Sequence, residues 1–130
     1  MAVSLKQVIE VLNPDEPNYS SAATLGSEAL PHLKTIIEGD DRGLAFKAAH
    51  LAGFIPGERA AGVLLSAARS KDAVVRVAAA SAVRRLDEGD REKLLLELLD
   101  DDDRGVRKFA RRAVPRTPSP ALQAKIKDLE

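Results

Sequence analysis

Three groups of residues in this 130-residue chain are of types that could do chemistry. The run Asp100-Asp101-Asp102-Asp103 places four carboxylates together, as a cation site would. It lacks the glycine and the closing glutamate of a calcium loop. Carboxylates at a helix start are favoured by the helix dipole by about 0.3–1 kcal/mol each, so the run reads as a helix start. The two histidines, His32 and His50, fall on different predicted helices without metal-ligand spacing. The third group is basic: Arg104, Lys108, Arg111, Arg112 and Arg116. At helical spacing, Arg104, Lys108 and Arg111 share one side, opposite Val106, Ala110 and Ala113. Such a side can contact phosphates, or it can be a charged outer face beside the acidic run. No glycine-rich phosphate loop and no Ser/His/Asp set is present, and the chain has no cysteine for a thiolate site or a disulfide. We expect no catalytic residue, no metal, no cofactor and no enzyme activity.

The elements that carry these residues are copies of one another. Asp41, Asp72 and Asp103 recur at a fixed step of 31 residues, and Leu44, Val75 and Val106 follow them in register. Ala48, Ala79 and Ala110 form a further column, as do Ala52, Val83 and Val114. Between these helices lie others whose columns are Leu33, Leu64, Leu95 and Ile126, and Ile36, Ala67, Leu98 and Leu129. The column Ile37, Ala68, Leu99 ends at Glu130. A period of this size marks a stacked-repeat protein, in which one helix pair cannot bury its apolar stripe alone. The sequence predicts an opening helix over 4–12 capped by Ser4, a short helix from Tyr19 ended by Gly26, and a helix capped by Ser27. Four helix pairs in all are expected. Phe54–Glu58, Asp87–Asp90 and Pro115–Pro120 read as turns within the pairs. The units fall at about 14–39, 40–70, 71–101 and 102–130, in one domain over 1–130.

Composition agrees with helices. Aromatic residues are reduced to Tyr19, Phe46, Phe54 and Phe109, and twenty Lys and Arg balance twenty Asp and Glu. Zero net charge gives no global attraction to nucleic acid or to an anionic membrane. No apolar run reaches the roughly 18 residues of a membrane span, and no signal-peptide pattern opens the chain. A soluble, cytoplasmic protein is expected.

The string Asp72-x-x-Val75-Arg76-x-x-Ala79-x-x-Ala82-Val83-x-x-Leu86 resembles a helix of the HEAT repeat, in the short form of bacterial and phycobilin-lyase-type proteins. Asp103-x-x-Val106-Arg107-x-x-Ala110-x-x-Ala113-Val114 repeats it, and residues 41–55 match it with Ala45 in place of the arginine. The resemblance implies an all-α, right-handed α-α superhelix with the second helix of each unit on the concave side. It further implies that Asp72, Arg76, Asp103 and Arg107 tie adjacent units together. A binding scaffold is implied, although such folds host many functions. An accessory or lyase role on a tetrapyrrole follows only from the family analogy.

On the second helices, Leu65 and Leu96 exceed what the core columns need, and they align with Lys34 and Lys127. An apolar centre at Leu65 and Leu96, rimmed by Ser66, Arg69, Glu97 and Asp100, is the arrangement of a protein-binding surface. His32 is a further candidate for that face, whereas His50 shares its column with Ser81 and Arg112 and is expected to be solvated. The neighbours Val63 and Leu94 read as packing against adjacent helices. The expected partner is a protein or peptide on the concave face. Nucleic acid on the 104–116 helix is the alternative. A polar last helix and the opening helix would cap the stack, so a monomer is expected.

Overall fold

The structure, a computed structural model, describes residues 2–129. These form nine α-helices and three short 3-10 turns, with no strand among the described residues. The helices are α1 (Leu5–Leu12), α2 (Tyr19–Ala22), α3 (Leu30–Ile37), α4 (Arg42–Ala52), α5 (Arg59–Ala68), α6 (Ala73–Ala82), α7 (Glu88–Leu98), α8 (Arg104–Ala113) and α9 (Pro120–Asp128). The chain is an all-α solenoid of stacked helix pairs.

Helix starts follow the sequence closely. Ser4 and Gln7 form a reciprocal capping box at α1. The Asp41, Asp72 and Asp103 carboxylates accept from the N–H groups of Leu44, Val74 and Val106, satisfying donors that a helix leaves unpaired at its first turn. Two starts differ. Ser27 caps nothing: it opens a 3-10 turn, and α3 begins at Leu30 with Pro31 in its first turn. The stretch 87–90, expected as a turn, is a cap and a first helical turn, because Asp87 accepts from the Asp90 N–H at 3.1 Å.

Two layers make the stack. Helices α4, α6 and α8 lie side by side in one, and α3, α5, α7 and α9 in the other. Leu33, Leu64 and Leu95 are fully buried between the layers, as are Ala48, Ala79 and Ala110. At the end of the array burial fades: Ile126 is half-buried and Leu129 is 42% exposed, because no further helix covers them. Val63 and Leu94 are buried as packing residues.

The α4–α6–α8 layer is the more closely packed one. Its contacts are made by alanines (Ala49, Ala78, Ala80 and Ala82 are buried), whose short side chains let helix axes approach. The other layer is held apart by leucines. The closest pairings outside the α4–α6–α8 layer, α3 with α4 and α5 with α6, phase the repeat one helix earlier than the 40–70 and 71–101 units.

Polar groups join the units at their loops. Arg76 donates to both carboxylate oxygens of Asp101, at 3.0 and 3.3 Å, and to the carbonyl of Ser70 at 2.9 Å. The pair is well shielded, with side chains 18% and 12% exposed. Asp72, besides capping α6, pairs with Arg42 at the start of α4. The backbone bond from Val74, followed by Arg42, holds its carboxyl below the usual carboxylate pKa. Arg107 instead closes its own loop, donating to the carbonyls of Asp101 at 2.7 Å and Asp102 at 2.9 Å, while Asp103 only caps.

Two outcomes are expected in urea unfolding. Arg76→Ala strips a shielded carboxylate of its fork and should lower stability by about 2–3 kcal/mol, and Arg76→Lys should not restore it fully, since an ammonium cannot serve both oxygens in plane. Gly53→Ala should cost about 1–3 kcal/mol through overpacking: its new Cβ would meet the Ala82 Cβ at 3.0 Å and the Ala82 carbonyl oxygen at 3.2 Å. A Gly53→Ala protein as stable as the parent would show that α4 and α6 have slack at this contact.

Candidate functional site

Spreading of the leucine-bearing layer opens a groove between α5 and α7. It has a volume of about 580 Å³ and is mostly apolar, with Leu65, Leu94 and Leu96 on its walls. Leu65 and Leu96 are half-buried against the core, not fully exposed as their alignment with Lys34 and Lys127 implied. Each packs one side of its chain on the core and turns the other to the groove. Arg69 and Glu97 line the same groove and bridge it, with Arg69 Nε 3.0 Å from the Glu97 carboxylate. Both side chains are substantially exposed, 64% and 40%, so the bridge is a surface pair that contributes little to stability and can open.

Four of the seven residues expected to form the partner surface therefore meet here: Leu65, Leu96, Arg69 and Glu97. Three do not. Ser66 lies with Arg69 on a polar depression by the Asp40 and Asp72 loops. Asp100 pairs with Lys125 of α9, away from the groove. His32 donates its Nε2–H to the Val3 carbonyl at 2.6 Å, so it anchors the start of the chain instead of facing a partner.

Sequence reasoning missed Ala61, Gly62, Asp90 and Lys93, which also line the groove. A signal for two of them existed. In the 31-residue register Pro31, Gly62, Lys93 and Ala124 form a column three residues before Lys34, Leu65, Leu96 and Lys127, and helical residues at i and i+3 share a face. A smaller depression of about 280 Å³ between α3 and α5 continues the surface through Pro31, Lys34, Arg59 and Gly62.

The other candidates resolve into structural parts. The acidic run is dispersed: Asp100 faces Lys125, Asp101 faces Arg76, and Asp103 caps α8. Its carboxylates do not converge on one point among the described residues. Arg104, Lys108, Arg111, Arg112 and Arg116 are exposed, and Arg112 lies over the Phe109 ring at 5.3 Å. Position explains the basic character of α8. In register, Lys108 follows Phe46 and Val77, and Arg111 follows Ala49 and Ala80. Val77 touches α8, coming within 3.9 Å of where a Gly105 Cβ would sit, and Ala49 and Ala80 are fully buried. The same positions on α8 have no following helix of the layer among the described residues, and polar ends keep a repeat array soluble.

His50 is half-buried, not freely solvated. It sits edge-on to Tyr19 at 4.5 Å and beside Phe54 at 5.5 Å, with Arg85 stacked 3.7 Å from the Phe54 centroid. Burial, then Arg85 and Arg84, holds its pKa below the usual imidazole value. The cluster fastens α2 to the end of α4 and is a packing device. No helix of the described residues is long and apolar enough to cross a membrane.

Among curated proteins none matches the chain. The family of HEAT repeats matches residues 30–115, a span that opens with α3 and closes just after α8, as the helix pairing requires. Stacked pairs, aspartate caps, the loop-bound arginines and this match over most of its length agree: the chain belongs to the HEAT-repeat family.

Proposed function

We propose that this protein is a non-enzymatic scaffold that binds a protein or peptide partner in the groove between α5 and α7. The observation that carries the reading is the joint placement of Leu65 and Leu96 on one open groove, each only half-used by the core. HEAT repeats are in general protein-interaction scaffolds. An apolar floor crossed by one exposed, breakable ion pair offers burial for a partner's side chains and two charges for its polar groups. The geometry of the groove favours neither catalysis nor a phosphate contact: its titratable groups are an exposed bridge and isolated charges. A bilin or other tetrapyrrole has no feature of the groove in its favour beyond the groove's size.

The test is capture from native lysate, treated with nuclease, on wild-type protein and on the Leu65→Glu/Leu96→Glu double variant. Both changes fall on the solvent side of half-buried residues, so the variant should keep its helical circular dichroism and its monomeric or oligomeric state. The expected outcome is a partner retained by the wild type and lost, by at least about tenfold in yield, with the variant. A partner held equally by both proteins would place the binding surface elsewhere.

A further inference from the structure

Gly62 stands inside α5, where glycine favours the helix less than alanine does. Gly53, which closes α4, has a packing reason, since a Cβ there would meet Ala82. Gly62 has none: its backbone is helical, it is exposed, and a Cβ built on it meets no atom within 4 Å. The fold does not need it. What its bareness does is keep open the surface where the α5–α7 groove meets the α3–α5 depression, since Gly62 lines both.

The charges around this surface are one-sided. Lys34 and Arg59 border the depression, Lys93 borders the groove, and Lys127 occupies on α9 the register position of Leu65 and Leu96. All four are exposed, and none is in an ion pair among the described residues. The acid of the same surface without a side-chain partner is Asp90, in the first turn of α7, where the helix N-terminus offsets its charge. Glu97 is already met by Arg69. Along the column Lys34, Leu65, Leu96, Lys127 the order is therefore cationic, apolar, apolar, cationic.

The geometry points to an acidic, extended peptide segment as the occupant of this surface, laid across α3, α5, α7 and α9 with its main chain passing close over Gly62. The inference rests on the groove reading above and names the partner's chemistry. Adjacent helices lie roughly 8–10 Å apart, and an extended chain advances roughly 3.3 Å per residue. Two apolar side chains about three residues apart thus reach Leu65 and Leu96, and acidic residues on either flank reach Lys34 and Lys127. Lys93 and Arg59 receive further carboxylates between. A basic segment would meet four like charges, and a neutral one would leave them without partners.

The experiment is selection of a random 12-residue peptide library on the intact protein, with recovered peptides synthesised, labelled and titrated against four proteins. These are the wild type, Gly62→Leu, Leu65→Glu/Leu96→Glu and Lys34→Glu/Lys127→Glu. We expect peptides rich in Asp and Glu with two large apolar residues, bound at least about tenfold more weakly by each variant and weakened by raising salt. Peptides that are neutral or basic, or that bind Lys34→Glu/Lys127→Glu as well as the wild type, overturn the acidic partner; if the leucine variant still loses them, the groove reading stands. Peptides bound equally by all four proteins, or an empty selection, overturn both. A second measurement separates function from folding at the glycine. Gly62→Ala should raise the thermal midpoint by about 2–4 °C, and Gly62→Leu should fold at least as well as the wild type while binding less. A fall in the midpoint for Gly62→Ala would show that the glycine serves the fold and remove its part in the inference.

Discussion

The close approach of α4, α6 and α8 is the constraint on which the remaining structure depends. Alanine at the facing positions makes it possible: Ala49, Ala78, Ala80 and Ala82 are buried with almost no side chain to hold the axes apart. At Gly53 even a methyl group is excess. With one layer drawn together, leucines in the other cannot follow to the same distance, so α5 and α7 part and a groove remains between them. The position of the groove and the half-burial of Leu65 and Leu96 are consequences of that difference in side-chain volume.

Electrostatics settles the loops in the same manner of unequal use. Four aspartates stand in a row in the sequence, yet three of their side chains serve separate tasks: Asp100 to Lys125, Asp101 to Arg76, Asp103 to the first turn of α8. The shielded Arg76–Asp101 fork links one unit to the next, and Arg42 with Asp72 does so in a more exposed setting. Because these acids are spent there, Lys34, Arg59, Lys93 and Lys127 of the α3, α5, α7 and α9 surface pair with none of them. Zero net charge thus conceals a marked local separation.

Two glycines show how far helix propensity alone can be read. Gly53 closes α4 at its C-cap, whereas Gly62 stands inside α5, where propensity disfavours it. One is demanded by the neighbour it touches, and the other touches nothing. Only the second leaves a cost that the fold does not explain, and cost without a folding return is what a surface held open for a partner would show.

Sequence by itself determined the parts that are local or strictly periodic. The aspartate caps needed only the three or four residues after them, the buried columns Leu33, Leu64 and Leu95 needed only the 31-residue step, and together they sufficed for the all-α stack and its family. The pairing of Leu65 with Leu96 was legible for the same reason, since equal register places them on adjacent helices. Tertiary structure alone decided which layer is drawn together, which aspartate of the run meets Arg76 across 25 residues, and that His32 and His50 are anchors. Each of those depends on inter-helix distances, and these are fixed by side-chain volumes on both sides of an interface at once. A period reports which residues are equivalent, but it carries no information on how closely equivalent helices approach.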